Sequence, residues 1–460
     1  MKMTSKTIKS HRMVALWAAI MVSVTGCGSD SASGDSDQQP DNPDEPQART
    51  WQPVGGNATV DFKDNLAFLQ FIPDLDLGSA PTVSQGRELF VADWTPAPDT
   101  RALLDGLGPL FIADACSDCH LASGRAASLK DDGTTSHGIL FRLGTLDGQP
   151  DSHFGGQLQT QATAGSPEAA VSWQDMGLGR PQFQLTGSNR TLDDGVHIGP
   201  RLSPQLTGVG LLQLVPESQI LEWHDPDDQN RDGISGRAHQ VKREGVDCVG
   251  RFGWKAMQCT LRGQSAGALN QDMGLTTPIN PTENCTSLQS ICADQPNGGE
   301  PEVTLVALNA INDFLTLLAV YERRIEDQAQ FDRGAELFEQ IGCDSCHRPT
   351  LTTGNHPQFS QLNQQTLYAY TDLLLHDMGD DLADGVMEGN ATGSEWRTSP
   401  LWGLGLIEGR GESRFLHDGR AKTLPEAIQW HGGEAAVSKA AWDLLTDEEQ
   451  QDVLVFLRGI

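Results

Sequence analysis

Two five-residue stretches, CSDCH at 116–120 and CDSCH at 343–347, each hold two cysteines three apart and a histidine directly after the second. On one turn of helix that spacing sets both sulfurs at one edge of a haem and the imidazole beneath it. Cys116 and Cys119, or Cys343 and Cys346, then form thioethers to the vinyl groups, and His120 or His347 ligates the iron. Two other chemistries use the same thiols. A redox dithiol does not need the histidine and rarely occurs twice. Zinc needs further Cys or His at short spacing, and none is near. The pair of motifs predicts two covalent c-type haems.

The second axial position decides what such an iron does, since a strong ligand gives electron transfer and a weak or absent one admits peroxide or oxygen. In FLHDGRAKTLPEAIQWHGGEA, Pro425 starts a helical stretch that carries His431 toward its end, fourteen residues after His417. LLLHDMG holds His376 and Met378 behind an apolar run, where a hydrogen-bonded core histidine is commoner than a ligand; Met378 is the alternative sixth ligand. His137, seventeen residues after His120, is either a distal ligand or a loop residue, and its neighbour Arg142 is a candidate clamp for a haem propionate. DQNRDG at 228–233 opens like a calcium loop, with Asp228, Asn230 and Asp232 offering alternating oxygens. The closing glutamate is replaced by His239, so an Asx turn explains the pattern equally well.

The elements that must position these residues are helical. GRELF (86–90) and GAELF (334–338) precede the two motifs and read as the amphipathic first helix of a duplicated haem module. PEVTLVALNAINDFLTLLAVYERR is the longest stretch of helical period. In the last helix Thr446 and Glu449 form a capping-box pattern. The intervening segments are rich in Gly, Pro and Asn. The expected fold is mainly α, with two cytochrome c-like haem domains, long loops and a disulfide-bearing insertion. The N-terminal domain spans 51–325 with the insertion at about 225–300, and the C-terminal domain spans 326–460.

Of nine cysteines, four belong to the haem motifs and Cys27 stands apart. The other four favour Cys248–Cys259 and Cys285–Cys292 because short loops close readily, although two further connectivities fit. The chain begins with basic MKMTSKTIKSHR and apolar MVALWAAIMVSV, then VTGC, which looks like a bacterial lipobox. Residues 1–26 are then a signal peptide, Cys27 carries lipid, and polar 27–50 is a flexible tether. An ordinary secretory signal is the alternative. Either way the protein faces the periplasm or cell surface, in the first case lipid-anchored. A formal charge of −30 repels nucleic acid and attracts a basic partner.

From about Gly86 to Ile460 the sequence resembles the di-haem oxidoreductases related to bacterial di-haem cytochrome c peroxidase and MauG. The resemblance is carried by DPDDQNRDGISGR, GRFGWKA, DMGLTTP, YTDLLLHDMGDDLADG, EWRTSPLWGLGL and FLHDGRAKTLPEAIQWHGGEA. It implies His431 as sixth ligand of the second haem, where peroxidases have Met and MauG has Tyr, and a place for His417 in the loop near the haems. It also implies that PRLSPQLTGVGLLQLVPESQILEW supplies the acid that cleaves peroxide, with Glu217 first and Gln213 and Glu222 behind it. The expected function is a peroxidase-like oxidoreductase in which a carrier, such as a basic cytochrome or cupredoxin, feeds the second haem and hydrogen peroxide reacts at the first. A non-catalytic electron-transfer protein and an accessory protein in metal or haem handling are the alternatives.

Overall fold

The computed structural model describes residues 50–460 apart from 64–67, 76–80, 101–103, 126–128, 131, 178–179, 244, 292–294 and 411–413. The signal, Cys27 and nearly all of the tether therefore lie outside the described residues, as does Cys292. Eleven α-helices follow in chain order: α1 (Pro81–Val91), α2 (Cys116–Cys119), α3 (Val209–Gln213), α4 (Glu217–Glu222), α5 (Leu261–Met273), α6 (Leu305–Thr316), α7 (Gln328–Gln340), α8 (Leu404–Glu408), α9 (Leu424–Gln429), α10 (Ala436–Leu444) and α11 (Asp447–Gly459). Seven two-stranded sheets lie among them, so the chain is not simply mainly α. The longest ladders pair Ile139–Gly144 with His197–Leu202 and Ala170–Asp175 with Pro181–Thr186. Only PQFQLT alternates in burial throughout, and each strand spans six residues, too short to stand out among the surrounding turns. The apolar stretch after Pro301 likewise stops being helical at Thr316 and continues as the strand Val320–Tyr321.

GRELF lies in α1 and GAELF in α7, and both helices are crossed by the last helix of their module in the same way. A Cβ on Gly86 would stand 1.9 Å from the Ala310 carbonyl oxygen of α6, and one on Gly334 2.0 Å from the Asp452 carbonyl oxygen of α11. Only glycine allows backbones that close. The aromatic residues repeat too. Phe90 meets Phe314 at 5.1 Å and His120 at 6.4 Å; Phe338 meets Phe456 at 5.3 Å and His347 at 6.4 Å.

The repetition extends further than the helices. RLSPQLTGVGLLQ (201–213) matches RTSPLWGLGLIE (397–408), with left-handed glycines Gly208 and Gly403 capping α3 and α8. Gly210 crosses the Thr316 carbonyl and Gly405 the Arg458 carbonyl, with Cβ distances of 2.0 and 2.1 Å. RFGWKAMQCTL (251–261) matches RFLHDGRAKTL (414–424), and both turns close by the same bridge, Phe252 to Gln258 and Phe415 to Ala421. Each turn ends in a threonine N-cap: Thr260 accepts from Gly263 N–H and Thr423 from Glu426 N–H. The Gln213 side chain accepts from Leu261 N–H at 2.8 Å, and Glu408 from Leu424 N–H at 3.4 Å.

The modules meet through two backbone bonds, each from the strand that runs into one RxSP copy to the turn of the other module, one residue out of register with each other. Leu202 N–H donates to the His417 carbonyl at 2.6 Å and Arg397 N–H to the Trp254 carbonyl at 2.8 Å. Trp254 and His417 occupy matching positions and touch edge to face at 6.4 Å. Ala48–Ile460 holds together as one unit. Cys248 and Cys259 form the expected disulfide, Cα atoms 6.2 Å apart; Cys285 is also disulfide-bonded. The Thr446–Glu449 capping box is present at the start of α11. No helix among the described residues is long and apolar enough to cross a membrane.

Candidate haem sites

Cys343, Cys346, His347 and His431, separated by up to 88 residues in sequence, line one largely apolar cavity. Its walls include Phe338, Leu404, Leu424, Trp442, Val453 and Leu457, side chains that would cover a flat hydrophobic group. His347 donates its Nδ1–H to the Tyr370 carbonyl at 2.9 Å, and His431 donates to the Ala427 carbonyl at 2.8 Å. A carbonyl can only accept, so both rings carry their proton on Nδ1 and keep the Nε2 lone pair for a metal. Burial lowers the pKa of His347 to about 4 and lowers that of His431, so both are neutral near pH 7. Neutral imidazole is the form that binds iron. Met378 lines the same cavity.

His376 does not share this state. Both ring nitrogens face carboxylates, Nδ1 to Glu434 at 2.7 Å and Nε2 to Asp372 at 2.9 Å. Burial opposes its charge, but Asp372 and Glu434 outweigh it and hold the pKa well above the ordinary value. It is a buried cation 3.6 Å from the Cys346 sulfur, with no lone pair to offer.

His417 is buried at the cavity wall. Its ring stacks on Trp396 at 3.6 Å with 10° between planes, and Lys255 Nζ lies 3.7 Å over the Trp396 ring. Burial, then nearby Arg201, Arg420 and Lys255, keep His417 neutral. Its Nε2 finds no protein partner and stands 4.0 Å from Asp418 Oδ2. An orphaned polar atom at an apolar cavity fits a cavity built for a further group.

The first motif has the same proximal geometry. His120 donates Nδ1–H to the Pro204 carbonyl at 2.9 Å, and burial lowers its pKa to about 4. Burial raises Cys116 and Cys343 to about 12, the opposite of the lowered pKa that a reactive dithiol needs. All four motif cysteines are free thiols. Cys119 Sγ donates to the His137 carbonyl at 2.7 Å, so His137 is adjacent to the motif, while its exposed ring meets the Ile112 carbonyl at 3.1 Å. Arg142 lies on the strand Ile139–Gly144, 3.8 Å from Glu388.

The segment expected to supply the peroxide-cleaving acid, which starts at Pro200, also provides the Pro204 carbonyl that His120 Nδ1 contacts. Gln213 is occupied in capping α5. Glu217 accepts from Val249 N–H at 3.1 Å, lies 4.0 Å from Arg251 and has a side chain 44% exposed. Glu222 is exposed. The structure thus gives these residues capping and surface positions. In the 228–233 loop, Asp232 N–H and Gly233 N–H are satisfied by Asn230 and Asp228, an Asx-turn network. Among the described residues no group of three or more His, Cys, Asp or Glu is arranged to hold a metal ion.

A family model described as "Di-haem oxidoreductase, putative peroxidase" matches residues 182–460. The chain belongs to that di-haem oxidoreductase family. The match contains the second CxxCH motif, and the first lies upstream of it. Family membership implies two haems. No curated protein matches the chain. Among solved structures, hydrazine synthase of Kuenenia stuttgartiensis is similar, with 14% identity, a TM-score of 0.35, and coverage of 90% of this chain and 98% of that one.

Sequence reading missed the paired RxSP and RF–TL repeats, whose copies lie far apart. Aligning the chain with itself reveals them and shows which residue of one module answers each residue of the other.

Proposed function

We propose that this di-haem oxidoreductase is an exported, lipid-anchored c-type enzyme of two cytochrome c-like modules, which reduces peroxide at its first haem with electrons delivered to its second. One observation carries the reading. Eight residues beyond the N-cap threonine the second module has His431, and the first has Ala268. The two modules share their helix crossings, turn, caps and proximal hydrogen bond, and differ at the one position that would close the iron. His347 and His431 would hold the second haem from both sides; His120 would hold the first from one side and leave the other open.

The haems, when bound, supply the electrons and the site for reduction, hydrogen peroxide taking two electrons and two protons to give two waters. The chain orients His120, His347 and His431 through fixed Nδ1 hydrogen bonds, excludes water with apolar walls, and keeps all three imidazoles neutral. Trp254 and His417 fill the contact between the modules. A basic cytochrome or cupredoxin suits the formal charge of −30 on the whole chain. Export and the lipid at Cys27 rest on the N-terminal sequence alone.

The test is visible spectroscopy on the holo-protein. His431→Ala should turn the second haem high-spin and leave the first unchanged. Ala268→His should turn the first low-spin and suppress its response to cyanide and peroxide. Two low-spin haems in the wild type, inert to both reagents, would leave only an electron-transfer protein.

A further inference from the structure

In a chain of formal charge −30, the cavity at the second motif is lined by more cations than carboxylates. Arg125, Arg397, Lys439 and the His376 cation face one carboxylate, Glu434, which is bonded to His376. Arg397 is 8% exposed and donates only to carbonyls, Nε to Gly253 at 3.0 Å and Nη1 to Thr398 at 2.8 Å. Arg125 donates Nη1–H to the Arg414 carbonyl at 2.9 Å, and its buried Nε finds no partner. Neither guanidinium pairs with a carboxylate among the described residues. The one carboxylate whose field reaches Arg397 is Asp372, and His376 already holds it at 2.9 Å.

The duplication supplies the contrast. Arg397 opens RTSPLW as Arg201 opens RLSPQL, at matching positions. Arg201 meets Asp384 and, at 2.7 Å, Glu388. Burial opposes its charge, but those two carboxylates outweigh it and raise its pKa. At Arg397 no described carboxylate takes that place. Burial lowers Arg125 and Arg397 to about 10, which leaves both charged near neutrality. Burying a guanidinium without a counter-charge is costly, so the two suit a bound anion.

Both arginines also cross between the modules. Arg125 follows His120 in the first motif's loop and reaches Arg414 of the second module, while Arg397 reaches Gly253 of the first. A haem carries two propionates, and thioethers at Cys343 and Cys346 would engage only its vinyl groups. We infer that Arg125 and Arg397 anchor the propionates of the second haem, so that a residue from the loop of the first motif positions the cofactor of the second module. The inference rests on the second haem of the reading above and not on its peroxide chemistry. Arg142, the sequence candidate for a propionate clamp, faces Glu388 at 3.8 Å instead. Offsetting the propionate charge favours the ferrous form of the haem that carries it.

The test is a redox titration of the holo-protein in which each haem is followed by its own paramagnetic resonance signal. Arg125→Gln should shift the second haem's equilibrium about tenfold toward ferric, which lowers its midpoint by about 59 mV, and leave the first haem unmoved. Arg397→Gln should do the same; if it does not accumulate as holo-protein, Arg125→Gln alone decides. Arg125→Lys keeps the charge and should restore most of the midpoint, which a merely structural role would not. Unmoved midpoints, a shift confined to the first haem, or no rescue by lysine overturns the inference. A wild-type midpoint that moves with added inorganic phosphate at constant ionic strength would place a free anion at the arginines and overturn the propionate assignment. A wild type carrying one haem overturns the inference together with the reading beneath it. Two haems with the Arg125→Gln shift but no peroxide consumption would overturn the peroxidase reading and keep the anchors.

Discussion

If α7 and α11 cross as closely as the glycine contact implies, Gly334→Ala must force them apart. The added Cβ would stand 2.0 Å from the Asp452 carbonyl oxygen and 2.9 Å from the Phe456 Cβ. Neither atom belongs to a flexible chain end, so the helices must separate by more than an ångström. A gap of 0.5–1 Å already forfeits about a quarter to a half of each contact's dispersion energy. The cluster exposed to that loss includes Phe331, Phe338 and Phe456, with ring centroids 5.2–5.3 Å apart. Overpacking of this kind costs about 1–3 kcal/mol and sometimes more, and alanine returns about 1 kcal/mol of helix propensity. With the backbone as the obstacle the upper end applies, for a net loss of about 2 kcal/mol. Gly86→Ala, meeting the Ala310 carbonyl at 1.9 Å, should cost about the same in the first module. Guanidinium unfolding of the holo-protein, followed by circular dichroism and Soret absorbance, measures both. Either variant as stable as wild type would refute the claim that the two crossings are backbone contacts.

Two further outcomes follow from charge. His376→Asn removes the cation between Asp372 and Glu434 and should cost about 3–5 kcal/mol near neutral pH. Because the folded pKa of His376 is raised, its contribution is complete below the unfolded value of about 6.5 and fades as pH rises through the folded one, so the difference from wild type should shrink in alkaline solution. Unfolding curves from pH 6 to 10 show whether it does. Reduction by a basic carrier protein should slow about tenfold or more between 20 and 500 mM salt, while reduction by dithionite changes little; equal salt dependence would exclude electrostatic docking.

The haem motifs and the first helix of each module were legible because their signals are local: five residues for CxxCH, five for GRELF and GAELF. The place of His431 just past a short helix was legible through Pro425, while its role as a ligand came from the resemblance alone; the capping box was legible through Thr446 and Glu449. The strands were not, since six-residue ladders such as Ile139–Gly144 with His197–Leu202 pair segments more than fifty residues apart. Glu217 drew attention through its place in a resembling segment; the structure shows it accepting from Val249 N–H with a side chain 44% exposed.

Duplication explains why the two sites can differ so cleanly. A pair of identical modules would carry the same ligand set, and both irons would be either closed or open. Changing the proximal side would disturb the helix crossing, because His120 and His347 are each packed on the phenylalanine that contacts the last helix. Changing the residue eight positions beyond the N-cap disturbs nothing in that frame, since the cap, the Phe252 and Phe415 bridges and the Gln213 and Glu408 contacts all lie before it. On the proposed reading, histidine at that point would close one iron and alanine would leave the other open. Beyond that position the two helices diverge, α5 running to Met273 where α9 stops at Gln429. The frame is shared up to the residue at which the proposed ligand sets differ, and it is not shared after it.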